Sequence, residues 1–402
     1  MPDLLRPPLR LTLLSSPDAK AKNRAGELER ILDSTAAGIG LSFDEDASPP
    51  SGAQPLGEKL ELKVFSSAPP GDAETWLDAT LHSVVIVLVD SQLFEQPELM
   101  DWLRACAPKI DLKRHRLIAV PFGESEQERW VEADKAFGKI QTLPWWSLDT
   151  EHAGRADQLA LRALHFMIRV VARAVFGGPD WKFRLFLSHA KLDGFYLAQS
   201  VRSFLGQQPW LETFYDARDI EAGTSWQQAL EDGVARSVLL ALRTDVYEQR
   251  LWCRQEFRWA EVYGVPRVVV DARSSLVYPA SELALDGSPT VRIPDGNLAR
   301  VLFAAFQTAL RSLLFQRRVQ ELQRIGLLPP QGPDVKILSV APSVETLAGA
   351  CKDLSESPDP GKRTIVYPDP PLAEGLGAAG EAMAREIGAR LITPSQVASE
   401  KP

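Results

Sequence analysis

Three segments decide the fold of this chain: Phe186-Leu187-Ser188-His189-Ala190, Tyr215-Asp216-Ala217-Arg218-Asp219-Ile220-Glu221-Ala222-Gly223, and Trp252-Cys253-Arg254-Gln255-Glu256. The first segment ends an apolar run that begins at Phe183, which is typical of a strand buried in a parallel sheet. Ligands of open parallel α/β sheets bind outside the carboxyl ends of the strands. Ser188 and His189 are therefore expected at the mouth of a crevice.

The helix that opens with the third segment carries the sharpest single candidate, Glu256. Helical spacing places this carboxylate in one stripe with three aromatic residues, Trp252, Trp259 and Tyr263. The neighbouring stripe is expected to face the core and holds Cys253, Phe257 and Ala260. A carboxylate among aromatic residues is not typical of a solvated helix face. The alternative is an exposed Glu256 that pairs with Arg254 or Arg258.

Taken together, the three segments resemble a TIR domain (Toll/interleukin-1 receptor homology), in particular the bacterial kind, over roughly residues 180 to 315. The resemblance implies a flavodoxin-like, doubly wound α/β fold with parallel sheets. In the enzymatically active relatives, NAD cleavage depends on the glutamate of this helix, and a tryptophan one turn earlier helps to shape the pocket. The resemblance thus implies that Glu256 is catalytic and that Trp252 contacts the substrate.

The resemblance also points to candidate residues outside the helix of Glu256. Candidate substrate contacts are Ser188, His189, Asp216 and Trp226, and candidate loop or assembly residues are Arg218, Asp219 and Gly223. In the TIR family this loop is mobile, lies beside the site and takes part in self-assembly. The alternative interpretation is structural, because Asp216 and Asp219 are also good turn residues and Ser225 is a good helix N-cap.

The residue inventory suits cleavage of the bond between nicotinamide and ribose. The reaction passes through a positively charged, oxocarbenium-like sugar, and the pyridinium leaves as a neutral molecule, so no general acid is needed. One carboxylate is then sufficient to stabilise the cation, whereas ordinary glycosidases need two. The sequence contains no Gly-x-Ser-x-Gly, no Walker loop and no metal-ligand spacing. NAD is the substrate that the resemblance implies, and these motifs give no reason to expect a metal or another cofactor.

Composition sets broader limits on the function. The chain has 402 residues, 45% of them hydrophobic, and a net charge of -8, so more than one core is expected and nucleic acid is not a favoured partner. The three cysteines, Cys106, Cys253 and Cys351, are isolated, which suits a reducing cytosol. No secretory signal and no membrane-spanning run is recognised. The expectation is a cytoplasmic protein that does not bind a membrane.

Residues 1 to 178 are predicted to form a first α/β domain that is a degenerate copy of the second. Ser83 to Gln96 aligns with Ser237 to Gln249, and both segments end in an aromatic-Glu-Gln triplet. Leu103 then falls opposite Glu256, and nothing in Ser66 to Trp76 reproduces the acidic loop with its Asp216 and Asp219. The first copy is thus expected to keep the scaffold without the site. The alternative is two unrelated α/β domains with similar buried strands.

The chain is predicted to continue with the TIR domain at 179 to 328 and a small α/β domain of unknown role at 329 to 402, after the stiff linker Pro329-Pro330-Gln331-Gly332-Pro333. The run Gly375-Leu376-Gly377-Ala378-Ala379-Gly380 matches a dinucleotide fingerprint in letters alone, since it does not directly follow a strand.

Two functions are predicted for this architecture. The first is an NAD glycohydrolase or cyclase that self-assembles as an effector in bacterial immunity or stress signalling, with a sensor or activator protein as a further candidate partner. The alternative is a non-catalytic TIR scaffold that acts through TIR to TIR contacts. Glu256 and Trp252 favour the enzyme, and the flanking domains favour control of assembly.

Overall fold

The computed structural model describes residues 6–36, 60–110, 114–148, 154–178, 182–208, 211, 213–215, 226–274, 288–293, 297–357, 359–369, 371–372 and 374–399. The described residues form two compact units. The first unit ends before Lys182, and the second begins at Lys182. Parallel sheets with helices between the strands make up both units, which confirms the predicted α/β class and the flavodoxin-like arrangement. No helix in the described ranges is long and apolar enough to cross a membrane.

The first unit contains β1 (Arg10–Leu14), α1 (Ala19–Ala36), β2 (Glu61–Phe65), α2 (Ala73–Asp78), β3 (Ser83–Val89), α3 (Pro97–Cys106), β4 (His115–Pro121), α4 (Glu124–Ala133) and α5 (Arg155–Phe176). Its four parallel strands are ordered β2-β1-β3-β4. Every residue of β1 and β3 is buried, as expected for central strands of a parallel sheet. Gly177 ends α5 in the left-handed conformation at φ 74°, which glycine adopts without strain.

The second unit begins with β5 (Arg184–His189), α6 (Phe195–Gly206), β6 (Thr213–Tyr215), α7 (Trp226–Ala235), β7 (Val238–Arg243), α8 (Leu251–Val262), β8 (Arg267–Asp271), β9 (Thr290–Arg292) and α9 (Ala299–Arg324). Its five parallel strands are ordered β6-β5-β7-β8-β9. The strand order reverses beside β5, because β6 and β7 lie on opposite sides of it. This is the switch point at which open α/β sheets bind ligands.

The first two sheets share the strand order of their first four strands. In both, the third strand is followed by a short 3₁₀ turn and then a helix: Ser91–Glu95 precedes α3, and Tyr247–Gln249 precedes α8. Leu103 lies on α3 with no exposed surface, within a hydrophobic cluster. The correspondence supports the degenerate-copy hypothesis, which stays a prediction.

A third sheet belongs to the same compact unit as the second sheet. It consists of β10 (Val335–Ile337), α10 (Val344–Ser355), β11 (Thr364–Val366), α11 (Glu374–Glu386), β12 (Arg390–Ile392) and α12 (Pro394–Ser399), with strand order β10-β11-β12. The Ser312 hydroxyl of α9 donates to the Ser339 carbonyl at 3.4 Å. The glycine-rich run lies inside α11, and a Cβ on Gly380 would approach Leu391 to 2.9 Å, so the glycine permits close packing there.

A buried histidine makes the stability of the first unit sensitive to pH. His165 of α5 is 4% exposed, and burial, followed by the charges of Arg169 and Arg162, lowers its pKa from 6.5 to about 3. The unfolded chain therefore binds a proton between these pH values that the folded protein does not bind. The unfolding free energy should fall as pH drops below 6.5, by up to about 1.4 kcal/mol per pH unit from this group.

The variant His165→Gln should lack this contribution. The difference in unfolding free energy between wild type and variant, measured by urea denaturation, is expected to shrink from pH 7 to pH 4. A difference that stays constant over this range would contradict the assignment of a low pKa to His165.

Candidate active site

The candidate site lies at the carboxyl end of β5. The last residues of this strand pair with β7, with Leu187 opposite Leu240 and Ser188 opposite Ala241, so the strand end is fixed against the middle strand of the sheet. Because α8 follows β7 after one short turn, its first turns lie beside the same strand end. Glu256, on the second turn of α8, is thereby brought to Ser188.

The Glu256 carboxylate is largely enclosed and receives a direct hydrogen bond. Its side chain is 8% exposed, and Oε2 accepts a hydrogen bond of 2.5 Å from the Ser188 hydroxyl. Ser188 has no exposed surface, and its oxygen lies 2.7 Å from the hydroxyl of Tyr247. The alternative interpretation of Glu256 required a solvated helix face, and the burial of this residue is inconsistent with it.

The two buried neighbours of this carboxylate stay protonated at neutral pH. Burial, the nearby Cys253 and the charge of Glu256 raise the pKa of Tyr247 well above its usual value. Burial is also the main reason that the pKa of the Cys253 thiol rises to about 12, with Glu256 adding to the effect. Because the thiolate is the reactive form of cysteine, Cys253 is not a nucleophile here.

Glu256 borders a cleft of about 750 Å³, a volume in the range of small-molecule sites. The described residues that line it are Phe186, Leu187, His189, Ala190, Lys191, Leu192, Trp226, Gln249, Arg250, Leu251, Trp252, Cys253 and Glu256. Glu256 is the one acidic side chain in this set. Two cations, Lys191 and Arg250, belong to the same lining, so the cleft combines a single carboxylate with positive charge.

Aromatic side chains form one wall of the cleft. Trp226 and Trp252 meet edge to face with ring centroids 4.4 Å apart, and Trp252 lies 6.4 Å from Trp259. Trp226 is 40% and Trp252 39% exposed, whereas Trp259 is buried. The two exposed rings therefore offer flat apolar surface to a ligand, and the buried one supports them from the core.

The loop that follows β5 is fixed by short contacts. Asp193 accepts hydrogen bonds from the Thr244 hydroxyl at 2.7 Å and the Val246 amide at 3.1 Å, which connects the loops after β5 and β7. Gly194 begins α6 so close to the chain that a Cβ there would lie 2.9 Å from the Ala190 carbonyl. These contacts fix the loop that carries Lys191, one of the residues that line the cleft.

Four of the residues predicted from the sequence meet in this cleft: His189, Trp226, Trp252 and Glu256. Ser188 lies behind the carboxylate instead of at the cleft surface. Asp216, Arg218, Asp219 and Gly223, as well as Ser225, lie outside the described residues. Sequence reasoning missed Tyr247, Lys191 and Arg250 as parts of the site. The sequence did single out Tyr247, because it is the first residue of the aromatic-Glu-Gln triplet that follows β7.

Comparison with known families identifies the class of this domain. The family model described as TIR domain matches residues 185–275, a segment that runs from β5 past β8 and includes the whole of α8. The chain therefore contains a TIR domain, and its parallel α/β sheet agrees with that family. TIR domains include NAD-cleaving enzymes and non-catalytic adaptors, and they commonly self-associate. A search of curated proteins finds no match to the chain.

Proposed function

We propose that this protein is an NAD glycohydrolase or cyclase of the TIR type, with Glu256 as its catalytic residue. The observation that carries the proposal is a single buried carboxylate, held by a serine hydroxyl, at the edge of an aromatic-walled cleft at the switch point of the sheet. A self-assembling effector of bacterial immunity or stress signalling, acting in the cytoplasm, is the biological role that fits this activity.

The reaction breaks the bond between C1′ of the ribose and the pyridinium nitrogen, and the bonding electron pair leaves with nicotinamide. The ribose becomes an oxocarbenium-like cation, which the negative charge of Glu256 stabilises in a cleft of low polarity. Water then attacks C1′ and releases a proton to give ADP-ribose, or an adenine nitrogen attacks to give a cyclic product. The leaving group is neutral, so the lack of a second carboxylate in the described lining is no obstacle.

The remaining lining suits the other parts of a dinucleotide. Trp226 and Trp252 offer rings on which a flat heterocycle stacks. Lys191 and Arg250 are exposed cations in the same cleft, and their charge complements a diphosphate. His189, partly exposed at the end of β5, adds a donor or acceptor at the cleft surface.

The second candidate function is a non-catalytic scaffold that works through TIR to TIR contacts. Two large apolar side chains on the rim favour contacts with another protein, since Leu192 is 71% and Leu251 73% exposed. Incubation of the purified chain with NAD separates the two candidates. The enzyme produces free nicotinamide, and the scaffold leaves NAD intact at every protein concentration.

Assembly and catalysis are expected to be coupled through the acidic loop, Asp216 to Gly223. In related TIR domains this loop completes a neighbour's site, so activity per molecule should rise with protein concentration or crowding. The charge reversal Asp219→Lys should lower assembly, measured by light scattering, and nicotinamide release together. The matched reversal Glu132→Lys, at an exposed position of α4, should leave both unchanged. Activity per molecule that does not depend on concentration or on Asp219 would contradict the coupling.

A further inference from the structure

Two buried hydroxyls stand in line behind the Glu256 carboxylate. Tyr247 lies 2.7 Å from Ser188, and Ser188 lies 2.5 Å from Glu256 Oε2, so the three side chains form one chain of hydrogen bonds, here called the hydroxyl relay. We propose that Ser188 and Tyr247 are positioning residues that hold the catalytic carboxylate in its productive orientation. The inference rests on the proposed function and adds two residues to it.

The direction of the relay follows from the donors that each group possesses. An ionised carboxylate accepts hydrogen bonds and donates none, so the single hydroxyl proton of Ser188 points to Glu256 Oε2. The Ser188 oxygen is then available to accept, and the proton between Ser188 and Tyr247 comes from the tyrosine. Each hydroxyl therefore donates towards the carboxylate, and the bonds polarise one another in the same sense.

The environment of Tyr247 keeps it in the donating form. The side chain has no exposed surface and lies in the hydrophobic cluster that includes Cys253 and Phe257. Burial raises its pKa well above the usual value, and the neighbouring Cys253 and Glu256 act in the same direction. With its pKa raised, the phenol keeps its proton at neutral pH and remains a donor to Ser188.

Neither hydroxyl is able to act on a substrate directly. Ser188 and Tyr247 are both fully buried, whereas Glu256 alone among the three borders the cleft. The three residues come from β5, the turn Tyr247–Gln249 and α8. The relay therefore connects the carboxylate to two other elements and restricts rotation of its side chain. A carboxylate fixed before the substrate binds requires less rearrangement in the transition state.

Two substitutions remove one oxygen atom each and test this role. Ser188→Ala and Tyr247→Phe keep the rest of each side chain, and kcat, KM for NAD and the urea midpoint of unfolding are measured for both single variants and for the double variant. Ser188→Ala should lower kcat on the order of 10- to 100-fold with little change in KM, because orientation and not binding is lost. Tyr247→Phe should have a smaller effect in the same direction, since Ser188 still donates to Glu256.

The double variant distinguishes positioning from a purely structural role. Ser188→Ala leaves the tyrosine proton buried without its acceptor, which lowers the unfolding midpoint, and loss of both hydroxyls should bring the midpoint back towards wild type. We expect kcat to stay low in the double variant although stability recovers. The control Ser237→Ala removes a buried serine hydroxyl that donates to the Gly233 carbonyl at 2.7 Å next to β7, and it should keep wild-type kcat.

Two results would overturn the relay alone: wild-type kcat in Ser188→Ala, or a kcat that recovers together with stability in the double variant. A wild-type protein that releases no nicotinamide under any condition overturns the proposed function instead, and with it the catalytic purpose of the relay. The two outcomes can be told apart, because the relay fails only when the wild-type protein itself releases nicotinamide.

Discussion

Replacement of Glu256 by glutamine is expected to lower the rate of nicotinamide release by a factor of about 10² or more. The amide keeps the size of the side chain and an oxygen that accepts the hydrogen bond from Ser188, but it carries no charge to stabilise the ribosyl cation. Because the proposed binding of NAD also uses the aromatic wall, KM for NAD should change much less than kcat. Release of nicotinamide is followed by chromatography with purified protein.

The matched control is Glu261→Gln on the same helix. Glu261 is likewise buried, at 6% exposure, and lies 3.8 Å from Arg267 outside the lining of the cleft. This variant removes a buried carboxylate from α8 without touching the cleft, so it should keep wild-type kcat at a temperature where it is folded. Full activity in a folded Glu256→Gln protein would exclude Glu256 as the catalytic residue.

The degenerate-copy hypothesis places Leu103 of the first unit opposite Glu256. A carboxylate introduced at Leu103 should destabilise the first unit and confer no catalytic activity on it. Leu103 is fully buried on α3 among residues such as Leu99 and Trp102. Leu103→Glu places a charge in this hydrophobic cluster, which costs several kcal/mol of unfolding free energy. The introduced carboxyl should ionise with difficulty, so the destabilisation should grow as pH rises.

The same substitution tests whether the first unit is a degenerate copy that has lost its site. In a Glu256→Gln background, Leu103→Glu should not raise nicotinamide release, because nothing in the sequence from Ser66 to Trp76 reproduces the acidic loop. Leu103→Met, which conserves volume, should cost less than about 1.5 kcal/mol and serves as the control for packing. Nicotinamide release by the Leu103→Glu, Glu256→Gln protein would show that the first unit holds a latent site.

Much of the scaffold could be predicted from local patterns. The continuous apolar run from Ser83 to Val89 is typical of a strand buried in a parallel sheet, and it forms β3 over the same residues. The burial of Glu256 also followed from sequence, since its helical stripe contains Trp259, which packs in the core. The bounds of short strands are harder to predict. The apolar residues that begin at Val335 continue to Val340, but β10 ends at Ile337, where few ladder bonds define the end.

The internal order of the site could not be predicted from the sequence. Tyr247 reaches Ser188 across 59 positions of the chain, and that meeting depends on the pairing of β5 with β7 and on the turn before α8. A serine at a strand end looks the same in sequence whether it faces a ligand or a neighbouring carboxylate. The positions of Lys191 and Arg250 in the cleft likewise depend on loop conformation, which residue patterns specify weakly.

The most direct test of the enzymatic function uses the purified 402-residue chain. The chain is incubated with NAD at low and high protein concentration and with a crowding agent, and the products are identified by mass. We predict that nicotinamide appears in equal amount to ADP-ribose or its cyclic isomer, and that Glu256→Gln forms both products about 10² times more slowly or not at all. Intact NAD under all of these conditions, with a folded and self-associating protein, would contradict the enzymatic function and favour the scaffold.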